Sequence, residues 1–250
     1  MGWLRWPLYL LLGLIALVVA TFALLLFAPA GAADLVLQRS DADARLYAPS
    51  GRVRSGSGDL FVDGRDLGRL HWRVQPGSLL RGRLDVEFTL QSLAHRLDGL
   101  ASVQSHRQLS LSGVSGHLDE GGLRTLLAPY DIHPSGRLTV HSGHFRVRDD
   151  VVVEAFADGH WTGGFVRYFL AGQGWTTELP PLDARLRLHD GDPVLMIEDP
   201  AGSQLLDITV DAEGWAHLRI RYRFIAMAGF PWPDAPDPDT VLLEISEQIF

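Results

Sequence analysis

The 250-residue chain carries 22 basic residues, all of them arginine, against 30 acidic ones, giving a net charge of -8, and it contains no cysteine. The missing thiols exclude disulfide scaffolds, cysteine-based zinc sites and cysteine nucleophiles. The acidic balance argues against a nucleic-acid binder, which needs a basic stripe to neutralise phosphates. With 46% hydrophobic residues, and with 26 Gly and 14 Pro but no low-complexity tract, the sequence reads as one globular domain or one and a small appendage.

Residues 6–33 carry no charge, and residues 8–28 are almost wholly Leu, Val, Ala, Ile and Phe. As a helix that stretch rises about 31 Å, enough to cross a hydrocarbon core of roughly 30 Å. The rival reading is a cleaved leader, since Ala28-Pro29-Ala30 and Ala30-Gly31-Ala32 resemble signal-peptidase sites. A leader's apolar region is usually about 7–15 residues, so length favours a retained anchor. Arg5 is the only charge before the span, which leaves the N-terminus cytoplasmic, and Trp3, Trp6 and Tyr9 fit an interfacial aromatic belt. The expected organisation is a cytoplasmic N-terminus and single-pass anchor over 1–33, a β domain across the membrane over 34–230, and a hinge and tail over 231–250. In a bacterium that places the anchor in the inner membrane and the bulk of the chain in the periplasm.

Beyond the anchor the hydrophobic pattern has period two. Leu70, Trp72 and Val74 alternate with His71 and Arg73; Leu84, Val86, Phe88 and Leu90 alternate with Asp85, Glu87 and Thr89. The same pattern recurs at Leu182, Ala184, Leu186 and Leu188, at Leu206, Ile208 and Val210, and at Ala216, Leu218, Ile220, Tyr222 and Phe224. Successive strand side chains point to opposite faces, so each segment has one dry and one wet face. Turn signals separate them: Asp63-Gly64, Pro76-Gly77, Ser135-Gly136, Asp158-Gly159, Asp190-Gly191 and Glu213-Gly214. That spacing predicts antiparallel hairpins. Leu123, Leu126, Leu127 and Tyr130 have helical spacing that Pro129 keeps short. The expected fold is mainly β: an antiparallel sandwich or an elongated, curved sheet forming a trough, with one short helix.

The prolines and aspartates of 231–239 predict a hinge. Val241, Leu243, Ile245 and Ile249 of the tail fit a strand or a helix equally, as a last core element or a segment that docks on a partner.

Chemistry-bearing patterns are sparse. His141 and His144 lie three apart, which places them on opposite strand faces, and zinc needs three or four converging ligands. Asp190-Gly191-Asp192 lacks the later ligands of a calcium loop. No nucleophile and base can be paired, so no enzyme, metal or cofactor is expected. Arg219, Arg221 and Arg223 form an apparent ladder on one strand face, paired to acids or offered to an acidic partner or lipid headgroups.

Residues 51–84 carry a more specific pattern. Gly51, Val53 and Gly56 form a GxVxxG stretch, and Leu67, Gly68, Leu70, Trp72, Pro76, Leu79, Leu80, Gly82 and Leu84 form LGxLxWxxxPxxLLxGxL. With the N-terminal span and Pro134-Ser135-Gly136-Arg137-Leu138, this resembles the type II secretion system protein N family, in order and spacing over residues 5–140. The resemblance implies a non-enzymatic inner-membrane accessory component of the machine that exports folded proteins across the outer membrane. Its partners would be other inner-membrane subunits of that system and the lipid of the membrane. The family also looks related to AsmA-like β proteins, which implies the alternative of a periplasmic lipid-binding or lipid-transfer protein. The motif residues themselves read as structural: Trp72 as an anchor, Pro76-Gly77 as a turn, Gly56 and Gly82 as close-packing positions.

Overall fold

A computed structural model describes residues 29–30, 44–62, 64–105, 108–149, 151–170, 173–230, 232 and 237–248. The apolar segment 8–28 and positions 231 and 233–236 of the hinge lie outside the described residues. Among the described residues no helix is long and apolar enough to cross a membrane.

The strands are β1 (Ala44–Arg52), β2 (Ser55–Val62), β3 (Arg65–Gln75), β4 (Leu84–Gln91), β5 (His95–Ser105), β6 (Gln108–Leu118), β7 (Ile132–Pro134) and β8 (Leu138–Arg148). They continue as β9 (Val151–Trp161), β10 (Gly164–Leu170), β11 (Gln173–Leu179), β12 (Leu182–His189), β13 (Asp192–Glu198), β14 (Gln204–Val210), β15 (Trp215–Arg221) and β16 (Val241–Gln248). Short helices α1 (Pro76–Leu79), α2 (Glu120–Leu127) and α3 (Tyr222–Met227) interrupt them. Thirteen strands pair in one sheet, in the order β1-β2-β3-β4-β5-β6-β8-β9-β12-β13-β14-β15-β16, and β11-β10-β7 form a second, three-stranded sheet. Every pairing is antiparallel, for example β3 with β4 and β14 with β15. The expected mainly-β, antiparallel class holds. Of the two expected layouts, the large sheet follows the single continuous one, with β1 and β16 as the first and last strands in its order.

The register explains why one sheet suffices. Directly opposed residues share a face, and a single apolar row can be followed from strand to strand. It runs Gly58, Leu70, Leu90, Leu97, Gly116, Val140, Gly159, Ala184, Ile197, Leu206, Ile220 and Leu243. Where both opposed residues carry large apolar side chains, as at Leu70–Leu90 and Leu206–Ile220, a pair contributes about 0.2–1 kcal/mol. Aromatic rings lie close against glycines of the neighbouring strand. A Cβ on Gly56 would come within 2.6 Å of the Trp72 ring, and one on Gly99 within 2.8 Å of Phe88. The sheet thus buries part of its apolar surface against itself, and most of the row stays half-buried.

The opposite face is polar and tied across strands by ion pairs. Arg69 meets Asp59 at 3.0 Å, Arg187 meets Asp158 at 2.7 Å, Arg185 meets Glu198 at 2.8 Å, and Arg146 meets Glu154 at 2.6 Å. The meander also sorts its connections onto two rims. Tight hairpins and α1 occupy the rim holding the ends of β1, β3, β5, β8, β12 and β14; α2 with β7, the β10–β11 hairpin, and α3 all follow strands that end at the other rim.

Three local expectations change, and the one left open for the tail is settled. Asp158-Gly159 is not a turn: both residues lie inside β9, where Gly159 faces Val140 and Ala184 on its two neighbours. Pro76-Gly77 opens the one-turn helix α1, since Pro at the first position has φ already set for it. Tyr222 and Phe224 do not continue β15. The last β14–β15 pair is Leu206 with Ile220, and beyond it the chain coils into α3, which packs on β14 where Leu205 is 0% exposed. The tail is a strand: β16 pairs along β15, matching Leu243 with Ile220 and Ile245 with Leu218.

Candidate functional site

Most of the motif residues at 51–84 form one interlocked corner on the hairpin rim, while Leu67 and Gly68 lie toward the opposite rim, where β3 begins. Gly51 (φ 89°) takes a left-handed conformation before the Val53-Arg54 turn, and a Cβ there would sit 2.7 Å from the Ser55 carbonyl oxygen. Val53 accepts a 2.9 Å hydrogen bond from Trp72 Nε1, so the indole ring is drawn back over the turn. Gly56 is the place where that ring lies. The GxVxxG stretch and Trp72 therefore act together: two glycines clear space, and Val53 supplies a backbone acceptor. Gly68 (φ 90°) packs against the Gln91 carbonyl, with a Cβ position only 2.5 Å away. Leu67 offers its carbonyl oxygen to His95 Nε2 at 2.8 Å, and Leu70 and Leu84 sit in the apolar row and opposite Val103.

Pro76 starts α1, and Ser78 pins the loop that follows. Its hydroxyl donates to Gln75 O (2.7 Å) and accepts from the Asp85 N–H (3.0 Å), while its carbonyl accepts from Arg81 and Arg83. Leu79 is half-buried, yet Leu80 is 90% exposed. Gly82 is not a close-packing position: nothing lies within 4 Å of its Cβ direction, and its requirement is a φ of 67°.

The three arginines at 219–223 do not share a strand face. Arg219 and Arg221 lie on β15 and Arg223 on α3. Arg219 and Arg221 converge on Asp207 of β14, at 2.6 and 3.4 Å, and Gln204 Nε2 adds a third contact at 2.7 Å. Asp207 is 0% exposed. A buried carboxylate needs such partners to offset its lost hydration. Arg223 turns away to Asp239, 3.0 Å off on the chain returning to β16. The Asp207 cluster floors a hollow of about 650 Å³ on the polar face, which Arg187, His189, His217 and Glu244 also line.

At one side of that hollow, His217 Nδ1 lies 2.8 Å from Ser246 Oγ and His217 Nε2 lies 3.2 Å from Asp211 Oδ2. Hydroxyl, imidazole and carboxylate in sequence is the order that activates a serine nucleophile. Here Asp211 is first a turn residue: the N–H groups of Trp215 and Glu213 bond its Oδ1, and the Trp215 bond is the main reason its carboxyl lies below the usual range. Ser246 is exposed on the edge strand β16, a setting that does not exclude water from a reacting centre. The sequence concealed this group because His217 and Ser246 meet only through the β15–β16 register. Among the described residues no three His, Asp or Glu side chains converge as metal ligands.

Comparison with curated proteins and with solved structures finds no match. A family model does match, described as type II secretion system (T2SS), protein N, over residues 42–231. The match extends well past residue 140, through β9 and the Asp207 cluster to the end of α3. It covers about three quarters of the sequence, and the chain belongs to the type II secretion system protein N family.

Proposed function

We propose that the protein is a non-enzymatic accessory component of the type II secretion system. Residues 8–28 anchor it in the inner membrane, and its sheet stands in the periplasm, where it contacts other inner-membrane subunits. The family membership carries this reading. The architecture supports it: ion pairs stiffen one face, while the apolar row from Gly58 to Leu243 and the last strand, β16, offer surfaces for an apolar patch or a partner strand. Gly51, Val53, Gly56 and Trp72 serve that scaffold rather than chemistry. The test is co-purification of the tagged chain from membranes in mild detergent, with enrichment of secretion subunits over an unrelated single-pass protein. No enrichment counts against it.

One observation favours a second reading, a periplasmic lipid-binding or lipid-transfer protein. The apolar row crosses twelve consecutive strands of the large sheet without a polar break. An acyl chain laid on such a face gains about 0.8 kcal/mol per buried methylene. Mass spectrometry of lipid retained by the purified chain separates the two: stoichiometric phospholipid without secretion subunits favours the second.

A further inference from the structure

We propose that the cleft between the β1–β2 hairpin and the end of β3 seats the phosphate of an anionic phospholipid, with Leu80 entering the bilayer beside it. The inference rests on the membrane-anchored reading above and adds a site to it. The cleft, about 460 Å³, is lined by Arg52, Arg54, Ser55, Arg73, Gln75 and neighbouring Val74 and Pro76, with no carboxylate among the described residues. In a chain of net charge -8 this is a local reversal of sign.

Most arginines of the polar face are held by an acid, as Arg69 is by Asp59 and Arg96 by Asp98. Arg54 and Arg73 form no ion pair among the described residues. Glu87 stands opposite Arg73 in register, but its carboxylate accepts from Gln75 Nε2 at 2.8 Å. The arginine backbones are firmly placed: Val74 N donates to Arg54 O at 2.7 Å, and the Trp72 indole fixes the turn between Arg52 and Arg54. Guanidinium groups held in that way bind a phosphodiester bidentately.

Position selects a lipid over a free anion. Pro29 bridges Arg52, and Ala30 N donates to Gly51 O at 3.2 Å, so the apolar segment 8–28 ends one residue before a contact with the cleft. Leu80, 90% exposed, projects from the α1–β4 connection on the same rim, next to Arg81. An exposed apolar side chain among arginines, beside the end of a membrane span, is the composition of an interfacial contact.

The native chain has no cysteine, so Leu80→Cys accepts a single polarity-sensitive fluorophore, and Leu93→Cys on the opposite rim serves as control. The full chain is placed in nanodiscs of phosphatidylcholine with or without phosphatidylglycerol. The expected result is a blue-shifted Leu80 label in phosphatidylglycerol discs, a weaker shift in pure phosphatidylcholine, and a Leu93 label in water in both. Arg54→Glu with Arg73→Glu should return the Leu80 label to water. Loss of each arginine reduces surface binding about fivefold, and an unchanged urea midpoint shows that this variant is folded. Co-elution with discs while the Leu80 label stays in water overturns the inference alone. No co-elution sinks the anchor reading and this inference with it. A label equally shifted in both lipids, or unmoved by the double substitution, removes the arginine cleft. Inorganic phosphate bound by the detergent-solubilised chain, without any lipid response, makes the cleft a free-anion site and defeats the proposal.

Discussion

The motif corner at residues 51–84 and the Asp207 cluster at β14–β15 hold the same sheet by opposite means. In the first, glycines remove side chains so that an indole can lie on the sheet and bond a backbone carbonyl. In the second, a carboxylate is taken wholly out of water and kept there by two arginines and a glutamine. Apolar contact tolerates gradual loss, because each removed group forfeits its own contribution. A buried charge does not, because removing one member strands the others. The two regions therefore differ most in how they fail.

The sharpest break is Asp207→Ala. It leaves Arg221, with its side chain only 19% exposed, without its carboxylate. A cost of about 3 kcal/mol is expected, toward the lower end for a buried pair because Arg219 can return to water. Urea unfolding of the full chain in detergent measures it, and a loss under about 1 kcal/mol would mean the cluster is not a structural lock.

At the motif corner, Trp72→Ala should cost about 2 kcal/mol, less than a fully buried tryptophan because the ring is half-buried. Gly56→Ala should cost about 1–3 kcal/mol, since its Cβ would stand 2.6 Å from both the Ser50 carbonyl oxygen and the indole. Combined in one chain, the two losses should fall short of their sum by at least about 0.5 kcal/mol. The coupling is partial, because the clash with Ser50 remains when the ring is gone. Strict additivity would deny that the glycine exists for the tryptophan.

These two regions were unequally legible. The motif corner acts over short chain distances, and period-two alternation marked Leu70, Trp72, Val74 and the strand opposite them directly. What the sequence hid there was the donor–acceptor link from Trp72 to Val53, since a backbone carbonyl leaves no compositional trace. The Asp207 cluster depends on which strands pair, and on α3 interrupting an alternation that ran on through Tyr222 and Phe224. Period two reports a face, and it cannot report where the neighbouring strand stops. For the same reason Asp158-Gly159 read as a turn: Gly159 is needed inside β9, where its Cβ direction points 3.4 Å from Leu138 Cδ1. His217, Ser246 and Asp211 likewise had no local signature.

A smaller effect sharpens the arginine assignment. Arg223→Ala breaks a pair with Asp239, whose side chain is 69% exposed, and should cost no more than about 0.5 kcal/mol. A loss matching that of Asp207→Ala would put Arg223 back into a common ladder with Arg219 and Arg221.

The smallest expected effect concerns acid. Asp98 on β5 is held below the ordinary carboxylate range, first by hydrogen bonds from Arg96 and then by one from Thr89, whose Oγ1 lies 2.5 Å away. Because the folded-state pKa is depressed, the stabilisation is complete above the unfolded value of about 3.9 and disappears as pH falls through the folded value. Asp98→Asn lacks that contribution at every pH. Its unfolding midpoint should lie slightly below the wild type at pH 7, by about 0.5 kcal/mol for so exposed a pair. The two curves should converge as pH falls through the depressed folded value, where the wild-type carboxyl is protonated as well. Curves that stay parallel down to acid would mean that Asp98 contributes through the shape of its side chain, and the polar face would then owe less to charge than the Asp207 cluster does.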